Sequence, residues 1–420
     1  MYQKTTLDNG LRILTSRMPH TPSVSLGIFV GTGSRYEAEN MAGISHFIEH
    51  LCFKGTKMRA SSREISTAIE GVGGILNGGT DKELTVYWCK VAKSHFLLAL
   101  DVLVDMLLNS KFEPKEIEKE RQVIIDEINL SKDSPSQRVN MLIDQLLWPN
   151  HPLGRDVAGS EQSVSSITRQ MILDYLETQY QPSNTVVAVA GEIKHQEVVV
   201  ALSQAQGNWT KKRHHPGYLP YQEQKVQRLC IEQKDTEQAH LCLALPGLPL
   251  THPKRFPLSL LNVILGEGMS SRLFIEIRDK LGLAYNIGSY IDYFLDSGSV
   301  AICAGVEPRN LKLTIKAILQ ELSKLKEEVP ENELSKAKEF AKGRLLLRME
   351  DSRSVSSWVG GQEILTGKIL SLEQVISIID AIRADEISKL AQELFVGQKL
   401  RLAVVGPVSK EEPLEKLLKL

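Results

Sequence analysis

The stretch GISHFIEHLCFKG, residues 43–55, places two histidines and a glutamate at helical spacing. On a helix, His46 and His50 lie one turn apart and project to the same side, where two imidazoles can bind one tetrahedral Zn²⁺. Glu49, three residues after His46, falls on that side as well, close enough to take a proton from a water molecule at the metal. Paired histidines on a helix are usually ordinary surface or core residues, so a third ligand is needed to predict a metal site.

A second predicted helix offers that ligand. The helix is indicated by an apolar stripe that consists of Ile117, Val123, Ile124 and Ile128. Glu120 and Glu127 lie two turns apart on it and project the same way. A carboxylate from this helix would complete a three-ligand site with one position open for water. Asp126, about 100° round the helix from Glu127, is a rival third ligand, and the alternative is that the acidic pair forms a solvated helix face.

With these two segments the chain resembles the pitrilysin/insulinase family of zinc peptidases. In that family a His-x-x-Glu-His motif, the reverse of the commoner His-Glu-x-x-His, is followed some seventy-odd residues later by a ligand glutamate on a helix. Here Glu127 follows His50 by 77 positions. The resemblance implies that His46, His50 and Glu127 bind one Zn²⁺ per chain. It also implies that Glu49 is the general base and that Glu120 is a carboxylate that contacts the ligands without binding the metal.

The glycine-rich stretch GVGGILNGGT, residues 71–80, allows two interpretations. It is either a flexible turn or an exposed edge strand that accepts an extended peptide by strand addition. The family has the pattern Gly-Gly-x-x-Asn-Ala-x-Thr here, running into Glu-x-Thr-x-Tyr. This chain matches that pattern at Gly73, Gly74, Asn77, Thr80, Glu83, Thr85 and Tyr87. The resemblance implies an edge strand that binds substrate through Gly74, Ile75, Leu76 and Asn77. Gly78 replaces the usual alanine, which we expect to loosen the strand without changing the fold.

The composition excludes several classes of function. The chain has 420 residues, is 42% apolar and carries a net charge of −1, which gives no indication of nucleic acid or an anionic membrane as a partner. No apolar run has transmembrane length, and the start, MYQKTT, lacks the apolar core of a secretory signal. The five cysteines are scattered and typical of reduced thiols. We therefore expect a cytoplasmic protein.

An internal repeat sets the domain organisation. TVVAVAGEI at residues 185–193 parallels LRLAVVGPV at residues 400–408, and the preceding helices align as well. We therefore predict two homologous α+β domains, 1–210 and 218–420, each a mostly antiparallel sheet packed with helices, rather than the three domains that length alone suggests. The polar stretch 211–217 is predicted to be a linker, and its His214 and His215 to be solvated rather than metal ligands.

Local patterns predict two further features of the first domain. Residues 4–16 contain an Asn-Gly pair between two strand-like runs, which indicates a hairpin. The alternation of apolar residues over residues 24–30 predicts a strand that is buried on one face only.

The second half has no His-x-x-Glu-His motif after residue 217, so a metal site is expected only in the first half. Arg278 and Tyr285, seven positions apart, match a pair that the family carries in its second half. The resemblance implies that both contact the bound peptide near the scissile carbonyl, and a guanidinium and a phenol can donate to an oxyanion. The alternative is a surface arginine and a core tyrosine.

Family enzymes work as a clamshell of four such domains, and this chain supplies two, half of a clamshell. The resemblance thus implies a homodimeric zinc metalloendopeptidase that hydrolyses peptides or unfolded polypeptides in a closed chamber. There the zinc site of one subunit would meet Arg278 and Tyr285 of the other. Two alternatives are a catalytically silent scaffold of the same fold and one subunit of a heterodimeric processing peptidase.

Overall fold

The computed structural model describes residues 2–207, 209–210, 217–224 and 227–420. The predicted linker, including His214 and His215, lies outside the described residues except for Gly217. The chain forms two compact units, each built from three segments. The first unit comprises Met1–Ile128, Asp156–Leu219 and Leu346–Ser371, and the second comprises Asn129–Arg155, Pro220–Leu345 and Leu372–Leu420.

The described strands are β1 (Tyr2–Thr6), β2 (Arg12–Arg17), β3 (Ser23–Val30), β4 (Ile75–Thr80), β5 (Thr85–Ala92), β6 (Thr185–Gly191), β7 (Leu229–Gln233), β8 (Ala239–Pro246), β9 (Ala284–Tyr293), β10 (Gly298–Val306) and β11 (Arg401–Gly406). The described α-helices are α1 (Ile44–Cys52), α2 (Ser62–Glu70), α3 (Phe96–Asn109), α4 (Pro114–Asp133), α5 (Pro135–Leu147), α6 (Glu161–Ser166), α7 (Arg169–Gln179), α8 (His195–Ala205), α9 (Arg255–Leu265), α10 (Leu311–Leu325), α11 (Glu331–Arg348), α12 (Ser352–Thr366), α13 (Leu372–Ala381) and α14 (Ala384–Leu394). A π-helical segment spans Phe274–Lys280. Within the part of the chain that the structure describes, no helix has both the length and the apolar character needed to cross a membrane.

The sheet of the first unit has the strand order β1-β2-β6-β3-β5-β4. Only β2 and β6 run parallel, and the other neighbours are antiparallel. The hairpin predicted from the Asn-Gly pair is confirmed, since β1 pairs with β2 and Gly10 takes a positive φ of 92° that glycine adopts at no steric cost. This arrangement leaves β4 at one edge of the sheet.

The prediction that strand β3 is buried on one face only is wrong, because seven of its eight residues are buried and both of its faces are covered. One face packs in the large core with α1 and α3. On the other face Phe29 packs against Val359 of α12, and Ser25 shares a 2.8 Å hydrogen bond with Ser352. The alternating pattern missed this second layer because α12 comes from the far end of the sequence.

The sheet of the second unit has the order β7-β11-β8-β10-β9, with a single parallel pair, β7 and β11. It reproduces β2-β6-β3-β5-β4 of the first sheet, so the prediction of two similar, mostly antiparallel α+β halves is confirmed. Helix α5, from the first half of the sequence, packs on this second sheet, where Trp148 contacts Phe294 at 5.2 Å between ring centroids. The two halves therefore exchange α5 and α12, and the predicted boundaries, 1–210 and 218–420, separate the sheets but not the compact units.

Candidate metal centre

The start of α1 is held in place by two buried features. Gly43 has a φ of 94°, and a Cβ at this position would lie 2.3 Å from the carbonyl oxygen of Ala158. The carboxylate of Glu37 accepts hydrogen bonds from the backbone N–H groups of Gly43 at 2.7 Å and Ser45 at 2.8 Å. A carboxylate is favourable at a helix N-terminus, where the first N–H groups lack partners within the helix. These contacts fix where α1 begins and how it is oriented.

Helix α1 buries one face and presents the other to α4 and β4. Its buried apolar residues are Ile44, Phe47, Ile48, Leu51 and Cys52. Because these residues lock the helix into the core, His46, Glu49 and His50 lie on a face whose orientation is fixed. The rings of His46 and His50 lie 4.5 Å apart between centroids, as the one-turn spacing predicts.

Helix α4 is buried along a stripe that includes Ile117, Ile124 and Ile128, as predicted. Val123 was also assigned to the stripe and is 48% exposed, because a single step from Ile124 turns a side chain about 100° round the helix. The Arg121 guanidinium donates to the backbone carbonyls of Val164, in α6, and of Ile167, directly after α6, the latter at 2.9 Å. This anchoring sets the rotation of α4, and with it the direction of its carboxylates.

The structure brings His46, His50 and Glu127 together, with one ligand atom from each within 4.8 Å of the others. The Oε2 atom of Glu127 is 3.9 Å from Nε2 of His46 and 3.8 Å from Nε2 of His50. Ligand atoms of a tetrahedral Zn²⁺ lie roughly 3.3 Å apart, given metal–ligand bonds of about 2.0–2.1 Å. The rival Asp126 lies elsewhere on α4, where its carboxylate accepts from the Gln122 side chain at 2.8 Å. Two imidazoles and a carboxylate thus fit a zinc ion with a side open for a further ligand.

Glu120 is buried behind the histidines and bonds to one of them. Its Oε1 accepts from Nδ1 of His50 at 2.8 Å, and its Oε2 pairs with Nζ of Lys54 at 2.7 Å. A proton on Nδ1 leaves the lone pair of Nε2 facing Glu127, which is the tautomer that metal ligation needs. Burial would raise the pKa of Glu120, but the contacts with His50 and Lys54 outweigh it and lower that pKa. Sequence reasoning missed Lys54, because this residue follows the end of α1 at Cys52 and the helical spacing does not place it.

The two histidines differ in their protonation. Burial, together with the nearby His50, lowers the pKa of His46 to about 4, so this ring is neutral near pH 7. For His50, burial also favours the neutral ring, but Glu120, Glu49 and Glu127 outweigh it and raise its pKa. A cation bound between the rings would replace the proton that the surrounding carboxylates attract to His50. The chemistry of the donor set therefore suits a divalent metal ion.

Glu49 lies beside the cluster, with 9% of its surface exposed. The hydroxyl of Thr80 donates to its Oε2 at 2.9 Å. Burial raises the pKa of Glu49, and Glu127 adds to this rise, while Thr80 and His50 act in the opposite direction. A carboxyl group whose pKa is raised towards neutrality is suited to accept and return a proton. The contact between Thr80 and Glu49 was not predicted, although Thr80 belongs to the glycine-rich pattern.

Within the glycine-rich stretch, residues 71–73 form a turn and residues 75–80 form the edge strand β4. Among the described strands, β4 is hydrogen-bonded only to β5. Ile75, Leu76 and Asn77 lie within it and Gly74 directly precedes it. The side chain of Ile75 is 55% exposed. A strand with one unpaired edge offers backbone groups to an extended peptide.

Arg278 and Tyr285 belong to the second unit. Arg278 lies in the π-helical segment and Tyr285 near the start of β9, and the guanidinium carbon is 4.9 Å from the centroid of the phenol ring. Tyr285 is 79% exposed, so the alternative of a core tyrosine is wrong. The pair presents neighbouring hydrogen-bond donors at the surface of its unit.

Comparisons with known proteins identify peptidase family models along the chain. Residues 12–161 match the family model described as Insulinase (Peptidase family M16), and residues 166–340 match the model described as Peptidase M16 inactive domain. A Bacillus subtilis protein named as an uncharacterized zinc protease is 36% identical over 408 residues, which cover 97% of this chain and 98% of the relative.

Two solved structures share the fold. A protease from Helicobacter pylori has a TM-score of 0.92 at 24% identity, with 97% of this chain and 99% of the other covered. A chain of complex III2 from Candida albicans has a TM-score of 0.83 at 19% identity, with complete coverage of both chains.

Proposed function

Because this chain belongs to the insulinase family of peptidases, family M16, we propose that it is a zinc-dependent endopeptidase acting on peptides or unfolded polypeptides. The observation that supports the proposal most is the convergence of His46, His50 and Glu127, with the Glu49 carboxylate beside them. These three residues would hold one Zn²⁺ per chain. When bound, zinc supplies Lewis-acid polarisation of the peptide carbonyl and acidifies water.

The protein's own groups have distinct tasks in this proposal. Glu49 takes a proton from the attacking water and later returns it to the leaving amine. Glu120 fixes the orientation of His50 through Nδ1. The free edge of β4, with Gly74 to Asn77, holds the peptide in an extended form.

We propose further that the working form is a homodimer. Arg278 and Tyr285 lie side by side on the second unit and present donors suited to a carbonyl or an oxyanion. In a dimeric chamber the partner's Arg278 and the partner's Tyr285 would complete the site of each chain. The mass of the purified protein in solution tests this arrangement, and a monomer or an obligate mixed dimer would contradict it.

The test of the peptidase proposal is hydrolysis of internally quenched peptides by zinc-loaded protein, with and without a chelator. Glu49→Gln should retain zinc and lose hydrolysis, whereas Glu127→Gln should lose both. Asp126→Asn is the matched control, because Asp126 is adjacent to Glu127 and its carboxylate accepts from the Gln122 side chain rather than from a histidine. Undiminished cleavage by Glu49→Gln would refute the assignment of the base.

A catalytically silent scaffold is the second candidate. The observation that supports it is the match of residues 166–340 to the model described as Peptidase M16 inactive domain. Zinc-loaded wild-type protein that cleaves none of a broad peptide library would favour this candidate over the peptidase.

A further inference from the structure

We propose that strand β4 positions the general base, with Thr80 holding one oxygen of Glu49 and Gly78 leaving room for the other. This inference rests on the proposed peptidase function and adds two positioning residues to it. Neither residue was assigned a role from the sequence, where Gly78 stood out only as a departure from the family's alanine.

The contacts of Glu49 define this arrangement. Oε2 accepts the hydrogen bond from the Thr80 hydroxyl at 2.9 Å. A Cβ built on Gly78 would lie 2.8 Å from Oε1 and 3.0 Å from Cγ of the same side chain. Gly78 and Thr80 are two residues apart on one strand, so both face α1. One oxygen of the carboxylate thus meets a donor, and the other lies against Gly78, where this chain lacks the methyl group of the family's usual alanine.

A side chain at position 78 would affect the general base more than it affects the fold. The three atoms nearest to a Cβ at Gly78 all belong to side chains: the first is Oε1 of Glu49, which can rotate away, and the third is Cε2 of Phe53 at 3.1 Å. An alanine would therefore displace the carboxylate and leave the strand in place. The neighbouring Gly79 differs, since a Cβ there would have its nearest contact, Cγ1 of Val86, at 3.9 Å. Gly79 thus provides a control one residue away on the opposite face.

The placement on β4 also connects the base to the substrate. The strand whose free edge is proposed to hold the peptide is the strand that fixes the carboxylate. The distance between the scissile bond and the Glu49 carboxylate would then be set by the one strand that contacts both of them. A hydrogen bond to a charged group is strong enough to hold the carboxylate in one rotamer.

The experiment compares the wild type with Thr80→Val, Thr80→Ser, Gly78→Ala and Gly79→Ala. Each protein is assayed for kcat and KM on a quenched peptide, for zinc content and for melting temperature. Thr80→Val should lower kcat about 10- to 100-fold, with KM changed by less than about threefold and zinc retained. Thr80→Ser keeps the hydroxyl and should recover most of kcat. Gly78→Ala should lower kcat in the same way, and Gly79→Ala should stay within about twofold of the wild type.

The possible outcomes separate this inference from the peptidase proposal. If the wild type cleaves peptides and Thr80→Val has a kcat within about twofold of it, positioning by β4 is wrong while the peptidase stands. A loss in Gly79→Ala equal to that in Gly78→Ala would show a general effect on the strand and would also overturn the inference. If Thr80→Val has a lowered melting temperature, the kcat values of Thr80→Ser and Gly78→Ala still test the inference. A zinc-loaded wild type without hydrolysis would overturn both proposals together.

Discussion

Replacing Glu120 by glutamine tests how strongly a carboxylate that contacts a candidate ligand, without binding the metal itself, affects zinc affinity. The buried carboxylate accepts from Nδ1 of His50 at 2.8 Å and pairs with Lys54 at 2.7 Å. Glutamine keeps the shape and one acceptor oxygen but removes the charge, and its NH₂ group must face either the imidazole or the ammonium group. The substitution therefore weakens the contact that orients His50 without touching a metal ligand.

The magnitude follows from the type of hydrogen bond that is lost. Bonds to charged groups contribute about 1.5–3 kcal/mol and neutral ones about 0.5–1.5 kcal/mol, so the difference is about 1–1.5 kcal/mol. This corresponds to a roughly tenfold weaker zinc affinity. The unfavourable contact between the amide NH₂ and either neighbour adds to this, which gives an expected range of about 10- to 100-fold.

The assay is competition for zinc against a chromogenic chelator at pH 7.5. Glu118→Gln serves as the control, because Glu118 lies on the same helix, is exposed and pairs with Arg121 rather than with a ligand. We expect Glu118→Gln to bind zinc as the wild type does. A zinc Kd for Glu120→Gln within about twofold of the wild type would refute the reasoning, as would equal weakening in both variants.

Four further predictions concern protonation and packing. At pH values below the raised pKa of His50, zinc must displace a proton from this ring. Zinc affinity should therefore be full above that pKa and fall about tenfold per pH unit below it, where calorimetry in two buffers should measure about one proton released. In metal-free protein the raised pKa of His50 should stabilise the folded state below pH 6.5, and this stabilisation should disappear as pH rises through the raised pKa. Gly43→Ala should destabilise the protein by about 1–3 kcal/mol, seen as a lower denaturation midpoint, because it forces a positive φ and a clash with Ala158. Phe29→Ala should lower the free energy of unfolding by about 3–5 kcal/mol because it removes the contact with α12. Leu97→Ala, at an exposed position, should change it by no more than about 0.5 kcal/mol. Equal denaturation midpoints for the two variants would contradict the packing of Phe29 against α12.

The positions of the candidate ligands could be predicted from sequence because they depend on helix geometry within single elements. His46 and His50 needed only the one-turn spacing, and Glu120 and Glu127 only the two-turn spacing. The choice of Glu127 over Asp126 came from the family resemblance, and the structure groups Glu127 with the histidines.

What the sequence did not reveal depends on contacts between elements. Lys54 reaches Glu120 of α4 from the segment that follows α1, and Thr80 reaches Glu49 from a strand to a helix. No periodicity within either element indicates such a pair. The second buried face of β3 was missed for the same reason, because the residues that cover it are more than three hundred positions away.

The exchange of α5 and α12 determines when the protein can fold during its synthesis. Phe29, Leu14 and Val186 are buried beneath α12, which ends at Thr366. A ribosome must therefore deliver almost the whole chain before the sheet that carries the candidate metal centre is covered on both faces. Until then the nascent chain displays an apolar sheet surface, and the first half expressed alone as residues 1–210 should aggregate or bind chaperones rather than fold.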